Sequence, residues 1–468
     1  MRFLETPSRL RRLLTPSANS LVFGAAILLA TLQGAGAQQP GSYSGVDSLV
    51  ALALARNPEL QAGEKRVAAA RARVAPAGSR ADPMLMVGVL NVPARSLSLT
   101  EDDMTMKMVG VRQELPYPGK LGLMRRIAEL EAEQIAVELD SVRLSVIRNV
   151  KDAYFEIGYI DAALETTRRT HQMLLGLAQV TEARYAAGRG EQQEVVRATL
   201  AATRINEAAN AFIESRRVQL EILSSLLDRD IEIPAVVGIP SRLAAAAIPS
   251  NLAAVQFRSN QLGASVAGSP LPSLDSLQAI ALAHNAGLRR QRLVETATAA
   301  SLALSRKQHL PDFDVSLEYG QRSGRSAQPP GAMGRDDMIS LTVSVPLTIQ
   351  RGRKQSALVT AASADLAAAA AQQRAAGNLL RAEVARTYSE IERSRTRLAL
   401  YVKALLPQAR ASMSSATTSY QSGTGIFIAI LEAQKTLLDL ELDYHRSLSD
   451  FAQRIAELDA MTGQETLR

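Results

Sequence analysis

The hydrophobic positions of this chain follow two periods, and each pattern occurs twice. DSLVALALARNPEL, starting at Asp47, carries apolar residues at helical spacing, and DSLQAIALAHNAGL, starting at Asp275, repeats it. Asp47 and Asp275 stand where a helix N-cap is expected. Helical periodicity stops near Pro83 in the first region and near Pro311 in the second, and an alternating pattern takes over. In FDVSLEYG, Phe313, Val315, Leu317 and Tyr319 alternate with Asp314, Ser316, Glu318 and Gly320. In MISLTVSVP, Ile339, Leu341, Val343 and Val345 alternate with Ser340, Thr342 and Ser344. Such alternation predicts strands with one apolar and one polar face. The earlier counterpart is less regular, with Leu85, Val87 and Val89 on one face and Met84 and Met86 on the other.

Helical signal then returns, from Leu121 to about Tyr185 and from Lys354 to about Tyr420. In the second stretch Val384, Ile391, Leu398, Leu405 and Ser412 recur every seven residues. Tyr388, Arg395, Val402, Ala409 and Ala416 interleave with them as the second line of a heptad-like seam. A helix of about 65 residues reaches roughly 100 Å, far beyond what a compact domain needs. Pro407 falls inside the second stretch and should kink it.

These parallels amount to one unit written twice. The two segments starting at Asp47 and Asp275 are identical at nine of fourteen positions, at an offset of 228. Val150, Tyr154, Glu156 and Ile157 recur as Val384, Tyr388, Glu390 and Ile391, offset by 234. Tyr185, Gly188 and Gly190 recur as Tyr420, Gly423 and Gly425, offset by 235. Three matches in the same order indicate duplication with a few inserted residues. The expected layout is a segment 1–37, a first repeat at 38–233, a linker at 234–273 and a second repeat at 274–468. Strands are expected at about 84–92, 104–116, 312–321 and 337–349, and long helices at about 119–228 and 353–463.

The first 37 residues have the features of an export signal. A basic stretch ends at Arg12, an apolar run follows from Leu21 to Leu32, and Ala35-Gly36-Ala37 offers small residues for cleavage before Gln38. The apolar run is too short for a membrane helix, which needs about 20 residues. After it no run is long enough for one, so membrane residence would require a β-barrel. Four arginines against one glutamate in this segment account for +3 of the formal charge of +7. What remains shows no basic block with interleaved aromatics, which argues against nucleic acid.

Candidate chemistry is sparse. With no Cys there are no disulfides, thiolate ligands, Cys nucleophiles or lipidated Cys. His171, His284, His309 and His445 lack metal-ligand spacing, and no hydrolase or phosphate-loop motif occurs, so neither an enzyme nor a cofactor is predicted. Met104, Met106 and Met108 alternate along one predicted strand. Thioethers bind soft metals, but on a barrel strand the simpler roles for Met are packing or facing lipid.

The duplication, the two hairpins, QELPYPGK (Gln113 to Lys120) before the long helix, and LLPQA (Leu405 to Ala409) followed by Tyr420-Gln421-Ser422-Gly423 together resemble the TolC-like outer-membrane efflux family. The resemblance covers about Asp47 to Gly463, and QELPYPGK leans toward its heavy-metal branch. It implies a mainly α fold with a small β part. Three copies would form a helical periplasmic tube and a twelve-stranded outer-membrane barrel, with four strands from each copy. Expected partners are two further copies, a periplasmic adaptor and an inner-membrane pump of the resistance-nodulation-division type. Expected function is a duct carrying substrate to the outside; the other reading is a periplasmic coiled-coil tether without a pore. The resemblance places adaptor docking and pore closure at two helix–helix turns. Tyr185, Gly188 and Gly190 mark one, and Tyr420, Gly423 and Gly425 the other. Glu194 and Glu432 match acidic positions after those turns. Gly425 stands where a basic gate residue would be expected.

Overall fold

A computed structural model describes residues 45–102, 104–230, 237–239, 241–247, 271–322, 336–347, 349–350 and 352–466. The expected signal segment and most of the linker lie outside these residues. The first copy contributes α1 (Val46–Arg56), α2 (Pro58–Ala77), strands β1 (Met84–Leu90) and β2 (Met106–Leu115), α3 (Lys120–Ala186) and α4 (Gln192–Leu227). A short α5 (Ser241–Ala247) lies between the copies. The second contributes α6 (Leu274–His284), α7 (Ala286–Lys307), β3 (Phe313–Arg322), β4 (Met338–Ser344), α8 (Gln355–Leu400), α9 (Leu406–Gln421) and α10 (Phe427–Thr462).

Each short helix pair is divided by an asparagine that the repeat preserves. Asn57 Oδ1 accepts the N–H groups of Glu59 and Leu60, while its Nδ2 donates to Leu226 O at 2.9 Å. Asn285 does the same in the second copy, accepting from Leu288 N and donating to Met461 O at 3.1 Å. One side chain thus caps a helix start and satisfies a carbonyl left open at the end of another. The expected caps at Asp47 and Asp275 are not formed. Gly45 and Ser273 occupy the N-cap positions, and Ser273 Oγ accepts Ser276 N–H. Both aspartates lie in the first turn instead, where a carboxylate interacts favourably with the helix dipole.

Apolar burial binds the helices. In the second copy Leu277, Leu380, Val384, Ile391, Leu398, Phe451, Ile455 and Leu458 form one cluster across α6, α8 and α10. Val384, Ile391 and Leu398 are members of the predicted heptad line. The next member, Leu405, is not. Pro407 cannot donate to residue 403 and its ring crowds that carbonyl. The backbone accommodates it with a π turn over Tyr401–Leu405, in which Leu406 N–H bonds Tyr401 O. The added residue passes the buried position to Leu406, followed by Ala409.

The strands form one antiparallel sheet in the order β1-β2-β3-β4. Its registers place Leu85, Val111, Leu317 and Leu341 in one row, and Val87, Val109, Tyr319 and Ile339 in the next. These side chains all lie on one face and are exposed; Leu341 is 69% and Ile339 74% exposed. The opposite face carries Arg112, Asp314, Ser316, Glu318, Ser340 and Thr342. Met84, Met86, Met106 and Met108 also lie on that polar face, so of the two roles expected of the strand methionines, packing and facing lipid, Met106 and Met108 take the first. The reason is local space: Met86 pairs with Gly110, and Met108 with both Gly88 and Gly320. A Cβ on Gly320 would come within 2.7 Å of Met106 Sδ. Long thioethers fill the space that glycine leaves. Met104 precedes β2.

Sheet and helices meet at a fixed joint. Lys120, which closes the QELPYPGK motif, is buried, and its Nζ donates to Leu310 O and Asp312 Oδ1, both at 2.8 Å. The same carboxylate accepts Tyr117 N–H at 2.7 Å. Gly119, at φ +85°, takes a backbone turn that other residues rarely adopt, immediately before α3. The motif is therefore a strand-to-helix hinge pinned to the second copy.

Candidate functional site: the paired helix turns

The turns after α3 and α9 share one geometry. After α3, Gly188 N–H bonds Tyr185 O and Arg189 N–H bonds Arg184 O. After α9, Gly423 N–H bonds Tyr420 O and Thr424 N–H bonds Ser419 O. Both are Schellman caps with glycine at the left-handed position, φ +65° at Gly188 and +78° at Gly423. Nothing lies within 4 Å of a Cβ built on either residue, so torsion alone demands glycine there. At Gly190 and Gly425 the reason is space. A Cβ on Gly425 would sit 2.9 Å from Ser419 Cβ, and one on Gly190 3.2 Å from Arg184 Cβ.

The duplicated tyrosines have diverged. Tyr185 is 48% exposed, whereas Tyr420 is 3% exposed and packs with Ala198, Phe427 and Ile430. Its hydroxyl donates to Glu194 Oε2 at 2.9 Å. The Arg184 guanidinium stacks 4.3 Å from the ring centroid and donates to Tyr420 O at 3.1 Å. One residue of the second copy is thereby held by the last turn of α3 and the first turn of α4, on both sides of the other helix turn. Burial, then the hydrogen bond to Glu194 and its charge, push the Tyr420 phenol up to about 12. At neutral pH it therefore keeps its proton and remains a donor.

Of the residues expected to act here, the fold gathers Glu194 and Tyr420 directly and places Gly188, Gly190, Gly423 and Gly425 in the turns that carry them. Glu432 is not brought to this contact; it lies exposed on α10, where its carbonyl accepts Thr436 Oγ1. Sequence reasoning missed Arg184 and Phe427. Their signal was position only, one residue before a repeated Tyr and in the first turn of α10.

The profile of the family described as outer membrane efflux protein matches residues 49–227 and 277–464. The chain belongs to that family. It is therefore a subunit of an outer-membrane efflux channel, with its long helices extending through the periplasm. The fold agrees. The outer-membrane channel OprN is similar at TM-score 0.72 and 18% identity, over 89% of each chain. VceC from Vibrio cholerae is similar at TM-score 0.70 and 20% identity, over 90% of this efflux protein and 96% of VceC. MtrE of Neisseria gonorrhoeae, solved in its open state, is similar at TM-score 0.69 and 17% identity, over 91% and 90%. No curated protein sequence matches. No helix among the described residues is long and apolar enough to cross a membrane.

Proposed function

We propose that this efflux protein works as a homotrimer, three four-stranded sheets closing a twelve-stranded barrel above a helical tube. The observation that carries the reading is the sheet itself. One face is continuously apolar and exposed, the other is lined by charge, hydroxyl and thioether, and β1 and β4 are edges. Open edges leave backbone groups unsatisfied in lipid, so a spanning sheet must close. On this reading Val315, Leu317, Leu341 and Val343 face lipid, and Ser316, Glu318, Ser340 and Thr342 face the lumen. A coiled-coil tether would have no use for an apolar sheet face.

The two helix turns then form the periplasmic mouth, docking an adaptor that couples the duct to an inner-membrane pump of the resistance-nodulation-division type. We assign the Glu194–Tyr420–Arg184 contact the role of a latch that holds the mouth narrow until the adaptor engages. The duct itself performs no catalysis and holds no cofactor. Extraction with the outer membrane as a heat-modifiable trimer supports this reading. A soluble or monomeric mature protein would refute it.

A further inference from the structure

The repeat offsets also relate the strand registers of the two hairpins. β1 maps onto β3 at offset 228, as Pro83 maps onto Pro311, and the segment entering α3 maps onto that entering α8 at 234, as Val150 maps onto Val384. Applied to the first hairpin, these offsets turn Met86↔Gly110 into Asp314↔Ser344 and Leu90↔Met106 into Glu318↔Ser340. Both are pairs that the second hairpin forms. The duplication is therefore register-true through the sheet, with no slipped residue.

The β2–β3 ladder joins one hairpin to the next within the chain, and its counterpart would join β4 to a β1 that this chain does not itself supply. Moving Gly110↔Glu318, Val111↔Leu317, Gln113↔Val315 and Leu115↔Phe313 by the same offsets gives four new pairs. They are Ser344↔Leu90, Val345↔Val89, Leu347↔Val87 and Ile349↔Leu85. We infer that a second copy of this chain lays its β1 along the end of β4 and the alternating residues after it in this register; the inference rests on the closed-barrel reading above.

Three observations support it. First, both even offsets preserve facing, so Val345, Leu347 and Ile349, which follow β4, meet Val89, Val87 and Leu85 on the outward face, which an odd slip would forbid. Second, the residues concerned are exposed in the single chain: Leu347 is 83%, Ile349 89% and Leu85 70% exposed. β2 runs to Leu115 because β3 accompanies it, while β4 stops at Ser344 although the alternation continues. Third, the joint below the sheet is half-used. Lys120 is buried against the second copy's α7–β3 junction, whereas its repeat counterpart Lys354 is exposed. By the same mapping Lys354 would dock at the α2–β1 junction of the neighbouring copy, near Asp82. Likewise α7 packs on both α3 and α8, and α2 on α3; the second face of α2 is the one that a neighbour's α8 would cover.

The chain has no cysteine, so disulfide trapping tests the register directly. Directly opposed residues in an antiparallel pair have Cα atoms about 4.5–5.5 Å apart, within disulfide range. Outer membranes carrying L90C/S344C are oxidised mildly and resolved without reductant, beside G88C/S344C and each single variant. The expected result is a reducible covalent trimer from L90C/S344C, with little from G88C/S344C and no trimer from the singles. V89C/V345C on the opposite face repeats the test should the first pair hinder assembly. Preferential cross-linking of G88C/S344C would overturn the register while leaving the trimer intact. Trimers by native mass that cross-link through neither L90C/S344C nor V89C/V345C would show that β1 and β4 do not meet in this way. Single copies by native mass would overturn both the register and the closed-barrel reading beneath it.

Discussion

The latch at the helix turns is most sharply tested by Tyr420→Phe, which removes one oxygen and keeps the ring. The ring's packing against Phe427 and its stacking under Arg184 survive, as does the Arg184 bond to the Tyr420 carbonyl. What is lost is the hydroxyl bond to the Glu194 carboxylate at 2.9 Å. Hydrogen bonds to charged acceptors contribute about 1.5–3 kcal/mol. Glu194 is only half-buried, so water compensates part of the loss and about 1–1.5 kcal/mol is the fitting figure. Every 1.4 kcal/mol is tenfold in an equilibrium. The opening equilibrium should therefore rise about tenfold for each chain, and more if three mouths open together. The readout is open probability of purified trimers in planar bilayers, compared with export in cells. Glu194→Gln, which keeps an acceptor without its charge, should fall between the two. An unchanged open probability in intact Tyr420→Phe trimers would refute the latch. Collapse of the trimer would instead make the hydroxyl a structural support.

Valine at Gly188 or Gly423 should cost about 1–2 kcal/mol through the left-handed torsion, with no steric clash; export is expected to fall while outer-membrane trimers persist, as scored by native gels. Arginine at Leu317 or Leu341 should impair assembly by about 2–4 kcal/mol if it lies near the bilayer midplane, and at Ser316 or Thr342 much less; equal tolerance on both faces would contradict the facing. Asp152 is pushed up to about 6 by burial, against the opposing pull of Arg148, and its Oδ1 is buried without a hydrogen-bond partner. Because its folded pKa lies above the usual value of about 3.9, stability associated with the protonated acid is full below pH 4 and lost as pH rises through 6. Asp152→Asn should thus stabilise the fold at pH 7 by about 1–2 kcal/mol after allowing for partial exposure, read as a higher melting temperature, and change nothing at pH 3.5.

Much of this protein was legible in the order of its residues. Strand facing could be read because side-chain direction has a period of two, so Val315, Leu317, Leu341 and Val343 declare their face without a partner. The duplication was also sequence-borne, and with it the expectation that Tyr185 and Tyr420 precede equivalent turns. Glycine at 188 and 423 was readable from its permissive torsions. The heptad line in α8 held as far as Leu398, since about four turns of a helix are a local matter. Beyond that point a backbone adjustment at Tyr401–Leu405 reset the phase, and no periodicity count can foresee an inserted π turn.

Only the tertiary structure decided how equivalent residues diverge. Tyr420 is buried beneath Arg184 and Glu194 while Tyr185 stays exposed, because contacts across more than 220 positions choose between two identical local motifs. Register across β2 and β3 is likewise non-local. It set Met106 and Met108 among polar residues, above glycines on neighbouring strands that the alternation of a single strand could not reveal. The repeated asparagines needed the fold as well: identity at Asn57 and Asn285 was visible, but the helix ends they clasp lie about 170 residues away in each copy. A sequence records period and direction, which act over one turn or one strand. Which surfaces meet depends on the packing of whole helices, and that packing exists only once the chain has folded.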